Sequence, residues 1–119
     1  MLPREFLETL GSDMGMRSAD WLVEQRKSGV DIVLLDLRSP SQFAEGHIQG
    51  ALQISINDLP AKLVSLVPRR ETVVLLHCSG SIQSAMAMMY LRTEGYVNSF
   101  NLSGGYSSWV RNNRPVVTA

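Results

Sequence analysis

Thr72-Val73-Val74-Leu75-Leu76-His77 runs straight into Cys78-Ser79-Gly80-Ser81-Ile82-Gln83-Ser84, with Ala85 to Glu94 behind. Residues 73–76 form a short, continuous apolar run. That is the pattern of a strand buried on both faces, where a half-exposed strand would alternate. Residues 78–84 are mostly small or polar, so the chain turns there. Residues 83–94 then read as a helix that Gly95 terminates. Cys78, the only cysteine of the chain, stands where strand gives way to loop. Free N–H groups and a helix N-terminus favour negative charge, and the thiolate is the reactive form of cysteine. The stretch alone leaves two readings of Cys78: a reactive thiol, or a buried structural cysteine of the common kind.

Outward from this stretch, strands and helices alternate. Residues 30–36 contain Ile32-Val33-Leu34-Leu35, a second continuous apolar run, and predict another fully buried strand. Before it, Ser18 is placed to cap a helix reaching Ser28 and ending at Gly29. After it, Ser39-Pro40-Ser41-Gln42 supplies an N-cap, a first-position proline and a capping-box glutamine for a short helix. Residues 51–55 read as a strand, and Asn57 with Pro60 opens a further helix. Residues 99–102 predict the last strand, followed by a turn at Gly104-Gly105 and a short helix carrying Trp109. Residues 73–77 take the centre. This alternation predicts an α/β fold with a central parallel sheet covered by helices on both faces. In such sheets the crevice lies at the carboxyl ends of the strands, where Asp36, Cys78 and Leu102 all fall. Residues 1–15 are a weakly patterned lead-in, and residues 16–119 form one domain.

Composition narrows the classes of function. At 119 residues, 45% of them hydrophobic, the chain suits one domain with a real core. A formal net charge of zero, with basic residues scattered, gives no electrostatic grip on nucleic acid. One cysteine excludes an internal disulfide and a cysteine-rich metal site, which suits a reducing compartment. The N-terminus lacks the apolar core of a secretory signal, and no apolar run reaches membrane-spanning length. The expectation is a cytoplasmic protein without metal, cofactor, membrane or nucleic-acid partner.

The motifs together, in order and spacing, resemble those of the rhodanese-like (sulfurtransferase) domain family. Asp36-Leu37-Arg38 is similar to its Asp-x-Arg, and Gly46-His47-Ile48-Gln49-Gly50-Ala51, led by Phe43, to its Gly-His-Ile-x-Gly-Ala signature. Residues 78–84 match the family's active-site loop in length, with Ser84 at the serine position. Leu102-Ser103-Gly104-Gly105, Trp109 and Arg114-Pro115-Val116 complete the set, so the resemblance runs from about residue 17 to 116. It implies a rhodanese-like fold and a covalent, two-step sulfur transfer. Cys78 would attack the outer sulfur of a donor such as thiosulfate, and the resulting persulfide would pass sulfur to cyanide, a thiol or a partner protein. The backbone of Ser79, Gly80, Ser81, Ile82, Gln83 and Ser84 would cradle the anion, with the serine hydroxyls as further donors or plain turn residues.

Two loop positions depart from the family. Many members carry Cys-x-x-Gly-x-Arg-Ser, whereas here the arginine position is Gln83 and the glycine position Ser81. Losing the cation predicts a high thiosulfate KM or another physiological donor, though some sulfurtransferases of the family also lack it. Ser81 raises the prospect of a strained loop if that position needs positive φ. A phosphatase of related type needs a loop arginine for the phosphoryl oxygens, and none is present. The alternative to an enzyme is a non-catalytic rhodanese-like binding or regulatory module. Arg38 either draws an anion into the crevice or pairs with a carboxylate such as Glu45 and pins the next helix. Asp36 is expected to bond loop N–H groups, and His47 to be structural. The side chain of His77 should point opposite to that of Cys78. Met86, Met88 and Met89 are expected in the core.

Overall fold

The computed structural model describes residues 1–118. Five strands, all paired in parallel, make one sheet: β1 (Met16–Arg17), β2 (Ile32–Asp36), β3 (Leu52–Gln53), β4 (Val73–His77) and β5 (Ser99–Leu102). Their spatial order is β1-β5-β4-β2-β3, which puts β4 at the centre as its continuous apolar run requires. Among the described residues six α-helices, with a 3-10 turn at Ile56–Asp58, connect and flank them: α1 (Pro3–Glu8), α2 (Ala19–Lys27), α3 (Pro40–Glu45), α4 (Leu59–Leu66), α5 (Ile82–Thr93) and α6 (Gly105–Arg111).

Alternate residues of each buried strand point to opposite faces, so the sheet has two cores. One contains Leu35, Val74 and Leu76 with Phe6 of α1, Leu59 and Leu63 of α4, and Met88 and Leu91 of α5. The other contains Leu34, Leu75 and Leu102 with Leu22 of α2 and Trp109 of α6, and Phe43 of α3 packs against it. Helices thus cover both faces, as expected.

Local chemistry sets the helix starts. The Ser18 hydroxyl accepts from the Trp21 N–H at 3.1 Å to begin α2. At α3, Gln42 N–H donates to the Ser39 hydroxyl at 3.2 Å while Ser39 N–H donates to the Gln42 side chain at 3.1 Å, a reciprocal capping box around Pro40. Gly95, at φ +98°, ends α5 in a conformation open to glycine.

Two elements at the start of the chain, one in the lead-in and one just after it, were not foreseen. Residues 3–8 form α1, whose Phe6 is buried, and residues 16–17 pair with β5. Arg92 of α5 ties this segment down, donating to Thr9 O at 3.2 Å and Thr9 Oγ1 at 3.1 Å. The strand expected over residues 51–55 is only two residues long, because it lies at the sheet edge and pairs on one side.

Topology positions the site. From β2 the chain crosses by α3, on one face, to β3 on its outer side. From β4 it crosses by α5, on the opposite face, to β5 on the other side. The loops after β2 and β4 therefore part company, opening a crevice at the carboxyl ends of two adjacent strands.

Candidate active site

Cys78 follows β4 directly and is 7% exposed, its side chain sharing a core with Leu76 and Ala87. It borders a cavity of about 450 Å³ that fills the crevice between the two loops. Residues 37–39 with Gln42 line one side, and residues 78–83 the other. The Cys78 Sγ lies 3.4 Å from the buried Ser84 hydroxyl, which also donates to Ser81 O at 3.3 Å. None of the N–H groups of residues 79–83 meets a protein acceptor among the described residues. Unpaired donors beside a thiol form an anion-favouring rim.

The opposite wall is built on a buried ion pair. Arg38 Nη2 donates to Asp36 Oδ2 at 2.7 Å and to Gly46 O at 2.7 Å, while Nε shares the same carboxylate at 3.1 Å and 3.2 Å. The Asp36 carboxylate also accepts from the Arg38 N–H at 2.9 Å. The guanidinium carbon sits 3.5 Å from the centre of the Tyr106 ring. Behind this pair, His77 is fully buried, and neither ring nitrogen meets a hydrogen-bond partner among the described residues. Its Nε2 lies 3.7 Å from Asp36 Oδ2. Burial pushes the His77 pKa below the usual imidazole value; the Asp36 carboxylate opposes that shift and Arg38 adds to it.

A family model described as a rhodanese-like domain matches residues 18–112, most of the chain and the whole of this crevice. The chain belongs to the rhodanese-like domain family. It is 36% identical over 87 residues to a sulfurtransferase of Allochromatium vinosum, covering 73% of this chain and 79% of that one. It is 30% identical over 70 residues to a thiosulfate sulfurtransferase of Escherichia coli, covering 59% and 67% respectively. Among solved structures, a rhodanese-related protein from Thermoplasma volcanium superposes with a TM-score of 0.76 at 29% identity, covering 87% of this chain and 98% of that one.

Within this rhodanese-like frame, the residues predicted from sequence gather as follows. Cys78, Ser79, Gly80, Ser81, Ile82, Gln83 and Arg38 all line the cavity. Ser84 does not; it is buried in the first turn of α5, its hydroxyl beside the sulfur. Ser81 is the N-cap of α5 at φ −141°, so the position does not need positive φ and the strain that would bring is absent. Arg38 does pin the segment leading to residue 46, but its carboxylate partner is Asp36 and not Glu45. Residues two apart at a strand end share a face, which brings Asp36 and Arg38 together. Met86 and Met89 are about half exposed and only Met88 is buried, correcting their placement in the core. With Ile82 they occupy positions i, i+4 and i+7 of α5, on the face turned to solvent. His47 is structural as expected, its Nδ1 2.8 Å from Phe43 O and its ring stacked on Phe43.

Sequence reasoning missed Leu37, Ser39 and Gln42 as lining residues and Tyr106 as the aromatic cover of Arg38. The convergence of the loops after Asp36 and Cys78 is as anticipated. The third loop, after Leu102, arrives behind the Cys78 loop and not at the cavity: Tyr106 N–H donates to Cys78 O at 2.9 Å and Ser107 N–H to Ser79 O at 3.0 Å. Among the described residues no helix is long and apolar enough to cross a membrane.

Proposed function

We propose that this rhodanese-like protein is a sulfurtransferase that carries sulfane sulfur as a persulfide on Cys78. The observation that supports it best is the row of unpaired N–H groups over residues 79–83, beside the only thiol and open to a cavity. In the first step the Cys78 thiolate attacks the outer sulfur of thiosulfate, an S–S bond forms, and the donor's S–S bond breaks. Sulfite leaves with the electron pair. In the second step a thiophilic acceptor, cyanide or a thiol, attacks the terminal sulfur and releases the thiolate. Oxidation state balances without any cofactor, and the two half-reactions predict ping-pong kinetics. Preorganised backbone donors stabilise the anionic sulfur in both steps, and the Ser84 hydroxyl at 3.4 Å adds a further contact.

No second cysteine exists to collapse the persulfide into an internal disulfide, so the sulfur goes to an external acceptor, small or carried by a partner protein. A reducing cytoplasm keeps such a lone thiol available. Turnover belongs to the domain of residues 16–119, with residues 1–15 as a lead-in braced against α5 through Arg92. The test is the intact mass of the reduced protein before and after thiosulfate, then after cyanide, with Cys78→Ser as control. The expected result is a gain of one sulfur that requires Cys78 and vanishes with cyanide. No gain with thiosulfate or with a protein persulfide would sink the proposal in favour of a non-catalytic binding module.

A further inference from the structure

Three successive carbonyl oxygens of the Cys78 loop converge on the open side of Gly105, the first residue of α6. A Cβ on Gly105 would overlap Gly80 O and lie 2.7 Å from Cys78 O and 2.8 Å from Ser79 O. The same turn supplies hydrogen bonds from Tyr106 N–H to Cys78 O and from Ser107 N–H to Ser79 O. In a trans peptide the N–H of the next residue points opposite to the carbonyl. Oxygens of residues 78, 79 and 80 drawn to Gly105 therefore send the N–H groups of Ser79, Gly80 and Ser81 the other way. Gly105 borders a separate hollow with Ser103 and Trp109, whereas residues 79–81 border the Cys78 cavity. Gly105 does not border the Cys78 cavity.

We infer that Gly105 is a positioning residue for the reactive loop: its missing side chain lets three carbonyls close in behind, which aims the loop's N–H groups at the cavity. This role rests on Cys78 being the nucleophile. Gly105 touches no substrate and acts only through the peptide planes it orients. Its φ of +60° adds a second reason for glycine, since side chains rarely adopt it.

The neighbouring Gly104 separates these two reasons. At φ +76° it carries the same backbone demand, but a Cβ there would meet Ser108 and none of the Cys78 loop. Gly105→Ala and Gly104→Ala are compared after both are shown to melt cooperatively. Two readouts are taken: the pH profile of Cys78 alkylation by iodoacetamide, and the rate of persulfide formation from thiosulfate. Gly105→Ala is expected to move the alkylation profile to higher pH and slow loading about 100-fold, the scale for losing preorganised anion donors. Gly104→Ala is expected to keep both near the wild-type values. A Gly105→Ala protein with wild-type profile and rate overturns the inference, as do equal losses in both variants with an unmoved alkylation profile. If Gly105→Ala does not melt cooperatively, Ser107→Pro replaces it. That change deletes the donor to Ser79 O at the third residue of α6, whose N–H makes no bond within the helix, and a wild-type alkylation profile there is equally fatal. Alkylation needs no sulfur donor, so a wild type that never loads sulfur defeats the sulfurtransfer proposal without touching this test.

Discussion

Residues 34–38 and residues 74–78 are both fully buried runs at the carboxyl ends of adjacent strands, and each gives way to two exposed residues. The two runs finish in opposite states. After β2, the charged group is closed in on itself: Arg38 meets Asp36 twice over, reaches Gly46 O, and is covered by Tyr106. After β4, no charge is buried beyond the neutral His77, and the backbone donors of residues 79–83 stay unmade. Donors left open beside a thiol, on a largely exposed loop, form an anion-favouring rim. One wall is framework, built of completed interactions. The other is open, built of incomplete ones.

The sharpest way to break this contrast is to open the closed wall. Arg38→Met leaves the fully buried Asp36 carboxylate without its partner. Uncompensated buried charge of this kind costs about 3–5 kcal/mol, enough to remove a large part of a small domain's stability. Denaturant unfolding measures it. Adding Asp36→Asn to Arg38→Met is expected to recover much of the loss, since removing both charges is far cheaper than stranding one. A loss below about 1 kcal/mol in the single variant would mean that the pair is dispensable framework.

A smaller effect probes the ground between the walls, where His77 lies behind both. Its folded-state pKa is depressed chiefly by burial, so the unfolded chain takes up a proton before the folded one does. The stability tied to a neutral His77 is present above the ordinary histidine value near 6.5 and is lost as pH falls below it. Between about pH 6.5 and 5 the slope approaches, at most, one proton's worth, about 1.4 kcal/mol per pH unit. Melting temperatures over that range are expected to fall in the wild type and to flatten in His77→Phe, which carries no ring nitrogens to leave unpaired. An identical slope in both proteins would place the titrating group elsewhere.

Much of this arrangement was legible in the sequence, for a physical reason. Continuous apolar runs at residues 32–35 and 73–76 have one stable home, the middle of a parallel sheet, and caps at Ser18 and Ser39 need only neighbours in sequence. What stayed hidden depends on contacts far along the chain. The two residues of β1 are a strand only because Asn101 N–H donates to Gly15 O and Ser103 N–H to Arg17 O, some 86 residues away in sequence. Gly105 looks like any turn glycine until three carbonyls of the Cys78 loop are seen around it. Other misses were readable after all. Asp36 stands two residues before Arg38 on the same strand face, and helical period separates Met86 and Met89 from Met88 and Leu91.

Gln83 offers the finest adjustment, because it introduces charge into the open wall without disturbing the closed one. It lines the cavity from the first turn of α5 and is exposed, so a longer side chain has room. The cation nearest the crevice, Arg38, is already engaged with Asp36 and Gly46, so under the proposed sulfur transfer a dianionic donor would be held by neutral donors alone. Gln83→Arg adds a charge-assisted donor, roughly twice as strong as a neutral one. Exposure to solvent limits the gain to about 1 kcal/mol, or about a fivefold lower KM for thiosulfate. The thiosulfate ground state and the transition state carry similar charge, so kcat should move less than KM. Steady-state kinetics across a range of salt concentrations decide it, since a new ion contact weakens with ionic strength whereas the backbone donors do so much less. A KM that stays the same or rises would mean that the thiosulfate oxygens sit away from residue 83, and that the open wall already holds its donor through residues 79–82 alone.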